Sequence, residues 1–188
     1  MTESAVKLPD IETSITRDES MALLKCIEGK HTILEIGSAF GYSTILLAEP
    51  WRIVSRVVLS VDPHSDYNSW ETFLENVERH SVSGRVLPFR ATNKQILPYM
   101  GDNSVDAAFI DGDHSHEHCL YDILNCLRIV RPGGVLAVHD YCTITRSEGN
   151  DGNQPVYDSF FPGVRSAVDK HLLNYPHCVV GNLFIVEV

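Results

Sequence analysis

Apolar residues fall along this chain in two rhythms. Short, nearly unbroken apolar runs occupy residues 33–36, 56–61, 85–89, 104–110 and 135–138, and between them apolar side chains recur three and four apart. The runs predict buried strands, and the spaced stretches predict amphipathic helices. Trp70, Phe73, Leu74 and Val77 mark one helix, opened by Asn68 and Glu71. Leu120, Ile123, Leu124 and Leu127 mark a longer one, which begins at Ser115 and stops at Arg131-Pro132-Gly133-Gly134. Upstream, Thr16 followed by Glu19 is a capping-box start for a helix that carries Met21, Leu24 and Ile27 and ends near Gly29. Pro88 lies inside the third run and places that strand at a sheet edge, because proline offers no ladder donor. A short helix broken by Pro98 precedes the fourth run. Val164, Ala167, Val168, His171 and Leu172 give a late helix its inner face, and Cys178–Val180, Gly181-Asn182 and Leu183–Val188 read as a hairpin.

This alternation predicts an α/β fold: a Rossmann-like, doubly wound, mostly parallel seven-stranded sheet with an antiparallel C-terminal hairpin strand. Residues 1–188 read as a single domain, with an N-terminal arm over 1–15 and one long loop over 141–162. A connection of that length in a compact domain is usually functional or disordered.

In such sheets ligands bind beyond the carboxyl ends of the strands. Four predicted strands end there in an acid, Glu35, Asp62, Asp111 and Asp140, so the acids are expected to converge on one cleft. The first strand runs into Gly37, Ala39 and Gly41 before helical spacing resumes at Tyr42, a strand–turn–helix unit that presents backbone N–H groups to a ligand. A dinucleotide turn would need a small residue where Tyr42 stands. The acid two residues before Gly37 suits a ligand with a cationic amino-acid end. A tight turn with no ligand is the plain alternative, as an Asp-Pro turn is for Asp62. Asp62 is otherwise placed to accept both hydroxyls of a ribose. In residues 109–118, FIDGDHSHEH, the spacing of His114, His116 and His118 argues against one zinc site on a helix, and the acids favour a hard ion such as Mg²⁺. His116 and His118 also read as a solvated helix start.

Composition narrows the classes. An apolar fraction of 44% and a charged fraction of 21% are those of an ordinary soluble protein. A net charge of −10 argues against nucleic acid and against an anionic membrane surface as partners. With no long apolar run and no leader-like start, the expected location is cytoplasmic. The five cysteines, Cys26, Cys119, Cys126, Cys142 and Cys178, form no C-x-x-C pair and read as reduced core thiols.

ILEIGSAFGYST, VDP, ATNKQILP, FIDGDHS and RPGGVLAVHDY follow the order and spacing of the class I S-adenosylmethionine-dependent methyltransferases. They most resemble the metal-dependent small-molecule O-methyltransferases of the catechol and macrolide-sugar types. The resemblance implies that Glu35, Gly37, Ser38, Ala39, Gly41 and Ser43 hold the methionine end of S-adenosyl-L-methionine. It implies that Asp62 holds the ribose and that Thr92, Asn93 and Asp111 lie along the nucleoside. Asp111 and Asp140 would hold a divalent ion, Mg²⁺ by this reading, with His139 the candidate third ligand. His114 would be the general base. The acceptor would be a hydroxylated small molecule, covered by the arm, by the 141–162 loop with Tyr141, Tyr157, Phe160 and Phe161, and by a second subunit of a homo-oligomer. An NAD(P)-binding oxidoreductase, a non-catalytic S-adenosylmethionine binder and a zinc hydrolase remain as alternatives.

Overall fold

This computed structural model describes residues 7–49, 56–65, 69–141, 144–145, 156–157 and 161–188. Asn68, Cys142 and Phe160 lie outside the described residues, as does the side chain of Tyr157.

The strands are β1 (Thr32–Ile36), β2 (Val57–Asp62), β3 (Val86–Arg90), β4 (Val105–Ile110), β5 (Val130–Val138), β6 (Ile144–Thr145), β7 (Val156–Tyr157), β8 (His177–Val180) and β9 (Leu183–Glu187). The helices are α1 (Arg17–Cys26), α2 (Tyr42–Ala48), α3 (Trp70–Arg79), α4 (Asn93–Ile96), α5 (His116–Ile129) and α6 (Pro162–His171). Seven strands form one sheet in the order β3-β2-β1-β4-β5-β9-β8, while β6 and β7 make a separate two-stranded ribbon. The first five strands of the sheet pair in parallel, β9 runs antiparallel to β5, and β8 pairs antiparallel with β9 and so runs in the direction of the five. Pro88 accordingly sits on the edge strand β3.

Strand side chains alternate between faces. Ile33, Val58, Ala107 and Phe109 pack with Leu23 of α1, Leu46 of α2 and Phe73 of α3. Leu34, Ile36, Ala108 and Ile110 pack with Ile123 of α5 and Val164 of α6. The capping box at Thr16 and Glu19 is present as expected. The face of α5 differs from expectation. Its buried residues are Cys119, Asp122, Ile123, Cys126 and Ile129, and Leu124 is 48% exposed. Cysteine behaves here as a small hydrophobe, and the true stripe lies beside the one that the leucines suggest. Of the other cysteines expected in the core, Cys26 is half-buried and Cys178 exposed. β5 begins earlier than its apolar run, directly after α5, and its pairing with β4 shifts register between Val105 and Ala107. No helix among the described residues is long and apolar enough to cross a membrane.

The carboxyl ends of the central strands are level. Gly37 N–H donates to Val61 O, Asp111 N–H to Ile36 O and His139 N–H to Ile110 O, at 2.9, 2.8 and 2.9 Å. Residues that follow those strands therefore emerge at one height.

Candidate active site

A cavity of about 1270 Å³ opens at that edge. Its wall carries Gly37, Ser38, Ala39 and Ser43 from the β1–α2 unit, Asp62 from β2, Thr92 and Asn93 at α4, and Asp111, His114 and Asp140 beyond β4 and β5. Glu12, Thr13, Ser14 and Ile15 of the N-terminal arm and Phe161 at the start of α6 also line it.

The turn after β1 is built for close approach. Gly37 has φ +85°, and a Cβ there would stand 2.0 Å from Asp111 O, so no side chain fits between the ends of β1 and β4. Its N–H groups are not offered to a ligand in the way the sequence suggests. Gly37 and Gly41 N–H bond to Val61 O and Ser38 O. Ser38 and Ala39 N–H donate to Asp62 Oδ2 at 2.8 and 2.9 Å. His64 N–H donates to Asp62 Oδ1 at 2.6 Å. Asp62 thus folds the turn and its own Asp-Pro bend while keeping a face on the cavity.

Two expected cofactor residues are not on the wall. Glu35 alternates away from Leu34 and Ile36, toward α2, where it is fully buried and accepts from the Thr44 hydroxyl. Burial pushes its carboxyl up to about 7, against the pull of neighbouring hydroxyls. Gly41 caps α2 with φ +92° and faces Phe73 rather than the cavity. Three of the four strand-end acids converge, and the fourth lies beneath them.

At the β4–β5 end the chain concentrates charge. Asp140 adopts φ +60°, a left-handed conformation uncommon outside glycine, which reverses the chain just past β5. Its Oδ2 is 2.8 Å from His114 Nε2. That bond, helped by nearby acids, raises the His114 pKa above its ordinary value despite burial. The His114 ring stacks on Phe161 at 3.8 Å. Gly163 allows the start of α6 to press on this turn, since a Cβ there would lie 2.4 Å from His114 O.

His139 is buried behind the wall. Nδ1 stands 3.4 Å from both Asp111 Oδ1 and Asp140 Oδ2, and Nε2 is 3.6 Å from Glu19 Oε2. These separations are long for hydrogen bonds, and neither ring nitrogen has a hydrogen-bond partner. Burial opposes the imidazolium, yet the three carboxylates override it and push His139 up to about 12. Burial likewise opposes ionisation of Glu19, but His139 and the Asn182 and Thr16 N–H groups bring it down to about 2. Asp140 is also held well below the carboxylate range, burial being outweighed by His114 and His139. Asp111, His139 and Asp140 each offer one ligand atom within 4.8 Å of the others.

The histidines of FIDGDHSHEH do not converge. His116 Nδ1 bonds Ser166 Oγ of α6 at 2.6 Å, whereas His118 lies near Lys94, so they share no zinc site with His114. Tyr141 is buried, donates to Asp169 at 2.8 Å and packs on Phe184, so it belongs to the core and not to an acceptor bracket. Glu19 reads from the sequence as a helix cap alone, and Asp122 is not among the expected site residues. Asp122 is fully buried, receives a bond from Asn93 Nδ2 and lies on the cavity wall. Burial, only partly offset by Asn93, pushes it up to about 7. An acid in the i, i+3, i+4, i+7 stripe of α5 was the available signal.

Fold and site define a class, the Rossmann-like methyltransferases. The profile of the methyltransferase-domain family matches residues 34–141, more than half of the chain. The chain belongs to that family, among the class I S-adenosylmethionine-dependent methyltransferases. It is 32% identical over 120 residues to catechol O-methyltransferase domain-containing protein 1 of Mus musculus, covering 62% of this chain. It is 31% identical over 135 residues to the catechol O-methyltransferase of Mycobacterium tuberculosis, covering 71% of this chain. The matched parts span 44% and 59% of those proteins, about half their length. An O-methyltransferase from Bacillus cereus, solved in complex with SAH, shares the fold at TM-score 0.66 and 24% identity, over 99% of this chain and 87% of that one.

Proposed function

We propose that this protein transfers the methyl group of S-adenosylmethionine to a hydroxyl of a small molecule, with His114 as general base. The observation that carries the reading is the meeting of Asp62, Asp111, Asp140 and His114 on one cavity behind a glycine turn. The names of the two relatives, a catechol O-methyltransferase and a protein containing a catechol O-methyltransferase domain, point the same way.

S-Adenosylmethionine, when bound, supplies the methyl group on a sulfonium centre. Asp62 is placed for ribose hydroxyls, and charge-assisted bonds of that kind are worth roughly 1.5–3 kcal/mol each. Ser38, Ala39 and Ser43 lie along the amino-acid end, Thr92 and Asn93 along the base. Asp140, bonded to Nε2, orients the His114 ring and leaves Nδ1 as the basic nitrogen. The same carboxylate stabilises the imidazolium that forms when the acceptor proton is taken. Alignment of oxygen and methyl group supplies the largest share, roughly 7–11 kcal/mol.

The cluster of Asp111, His139 and Asp140 would fit a divalent ion once His139 gives up its Nδ1 proton to it, because that nitrogen is buried without a hydrogen-bond partner and faces both carboxylates. Two carboxylates suit Mg²⁺, and the imidazole widens the choice toward Mn²⁺ or Zn²⁺. Such an ion, when bound, supplies Lewis-acid polarisation of an acceptor oxygen. The arm and Phe161 cover the acceptor end, and a second subunit completes the cover in a homo-oligomer.

Calorimetric titration with S-adenosylmethionine and S-adenosylhomocysteine, each with and without Mg²⁺, tests the reading before any acceptor is screened. Saturable binding of both is expected. Failure of either to bind under all conditions overturns it, and catechol supplies the first acceptor probe.

A further inference from the structure

The placement of Glu19 exceeds what a helix cap requires. The residue is 1% exposed. Both of its carboxylate oxygens are committed to peptide donors. Oε2 accepts from Thr16 N–H at 2.7 Å, and Oε1 accepts from Asn182 N–H at 2.5 Å, in the turn between β8 and β9. That turn is pinned in its own right, since Tyr141 N–H, just past β5, donates to Asn182 O at 2.9 Å. Gly181, at φ +58°, leaves room for the acid, because a Cβ there would collide with Oε1. The start of α1, the hairpin turn and the end of β5 therefore fix one carboxylate in one pose.

A carboxylate whose oxygens both accept from N–H groups shows only lone pairs to whatever else approaches. What approaches Oε2 is His139 Nε2, at 3.6 Å. An acceptor in that position favours a proton on Nε2. The ring is fully enclosed and edge-on to Phe109, and Nδ1 stands 3.4 Å from both Asp111 Oδ1 and Asp140 Oδ2. Reversing the ring would set C–H groups against the carboxylates on both sides, so its orientation is fixed as well.

We propose that Glu19 is a positioning residue for this cluster: by holding the Nε2 proton it presents Nδ1 of His139 as a nitrogen ligand beside Asp111 and Asp140, and so gives the site a preference for first-row transition ions such as Co²⁺ over Mg²⁺. The inference rests on the reading of the cluster as a divalent-ion site. A carboxylate behind an imidazole fixes its tautomer and orientation and makes the other nitrogen a better ligand. Mg²⁺ takes oxygen ligands and parts from water reluctantly, whereas imidazole suits the transition ions.

Calorimetry with Co²⁺ and with Mg²⁺, with neither donor nor acceptor present, tests this together with proton NMR of the Co²⁺ complex. The wild-type protein is expected to bind Co²⁺ more tightly than Mg²⁺. It should also show an exchangeable, paramagnetically shifted imidazole N–H resonance, which His139→Asn abolishes. In Glu19→Gln the amide nitrogen must face either Asn182 N–H or both Thr16 N–H and His139 Nε2, so the hold is lost on one side. Co²⁺ affinity should fall by about 10–100-fold, the scale of a lost carboxylate behind a ligand histidine, with Mg²⁺ affinity falling less and the shifted resonance lost. Gly181→Ala, which displaces the carboxylate without altering it, should act in the same sense, and it decides the matter if Glu19→Gln fails to fold. Co²⁺ affinity and resonance both retained in a folded Glu19→Gln overturn the role of Glu19. So does an equal loss of both ions, since a merely distorted site would weaken them alike, and so does a wild-type complex with no such resonance or no preference for Co²⁺. Failure of the wild type to bind either ion overturns instead the reading of the cluster, and the inference falls with it.

Discussion

The two ends of the cavity hold their carboxylates by different means. At the β1–β2 end, Asp62 is held by three peptide N–H groups, from Ser38, Ala39 and His64. At the β4–β5 end, Asp111 and Asp140 face imidazoles: His114 at 2.8 Å from Asp140, and His139 at 3.4 Å from both. Peptide donors do not titrate and cannot move without unfolding the turn. Imidazoles gain and lose protons and can exchange partners. The first end is suited to holding a donor in one pose, and the second to a proton transfer.

The largest effect expected from this contrast comes at the imidazole end. His114→Ala should lower turnover by about 10²–10⁴-fold, the range for a general base, while leaving S-adenosylhomocysteine affinity within about twofold. Steady-state rates with the acceptor that turns over fastest in a panel of phenols and sugars, paired with calorimetry, check both halves. Affinity lost in step with rate would show that the two ends are not separable. Next in size is Glu19→Gln, which takes from His139 the carboxylate facing Nε2. Leaving a buried charge with fewer partners should cost about 2–4 kcal/mol in urea unfolding. No loss would mean that His139 is not charged in the folded protein.

The same contrast decides what could be read from the chain. The peptide-held end is local: strand, small-residue turn and helix follow one another within residues 33–48, and Asp62 stands at the end of the next apolar run, so both were visible as pattern. Sheet type, edge strand and hairpin were legible for the same reason, since period and turn chemistry declare them. The imidazole end is assembled over long distances. Glu19 reaches His139 from 120 positions away, and nothing in the TRDES sequence distinguishes a capping glutamate from one that also neutralises a buried histidine. Glu35 lies off the cavity wall for a simpler cause. Strand alternation puts it on the face opposite Leu34 and Ile36, but a carboxylate one residue from a glycine turn suggests a ligand more readily than a core. Asp122 escaped because the leucines of α5 advertise a neighbouring stripe.

At the peptide-held end the effect should be smaller and confined to binding and turn stability. Asp62→Asn keeps an oxygen for some of the three N–H groups but turns one acceptor into a donor. A loss of roughly tenfold in S-adenosylhomocysteine affinity is expected, the scale of one charge-assisted bond, with turnover at saturating donor little changed. A fall in saturated turnover as large as that of His114→Ala would erase the distinction between the two ends.

The smallest effect concerns the acid that belongs to neither end, and its sign is the test. Glu35 has its carboxyl pushed up by burial from 4.5 to about 7. Between those values the folded protein holds a proton that the unfolded chain has released, so stability falls as pH rises through that window and stays lower above it. Asp122, raised to about 7 by burial, acts in the same direction. Glu19 acts in the other, since its carboxyl lies at about 2 in the folded protein and its stabilisation is lost as pH falls from 4.5 toward that value. Glu35→Gln removes the raised group while keeping an oxygen for Thr44. The variant should match the wild type at pH 5 and exceed it at pH 8 by on the order of 1 kcal/mol in urea unfolding. A variant less stable than the wild type at pH 8 would mean that Glu35 is ionised and paired in the fold. The charge beneath the glycine turn would then belong to the site after all.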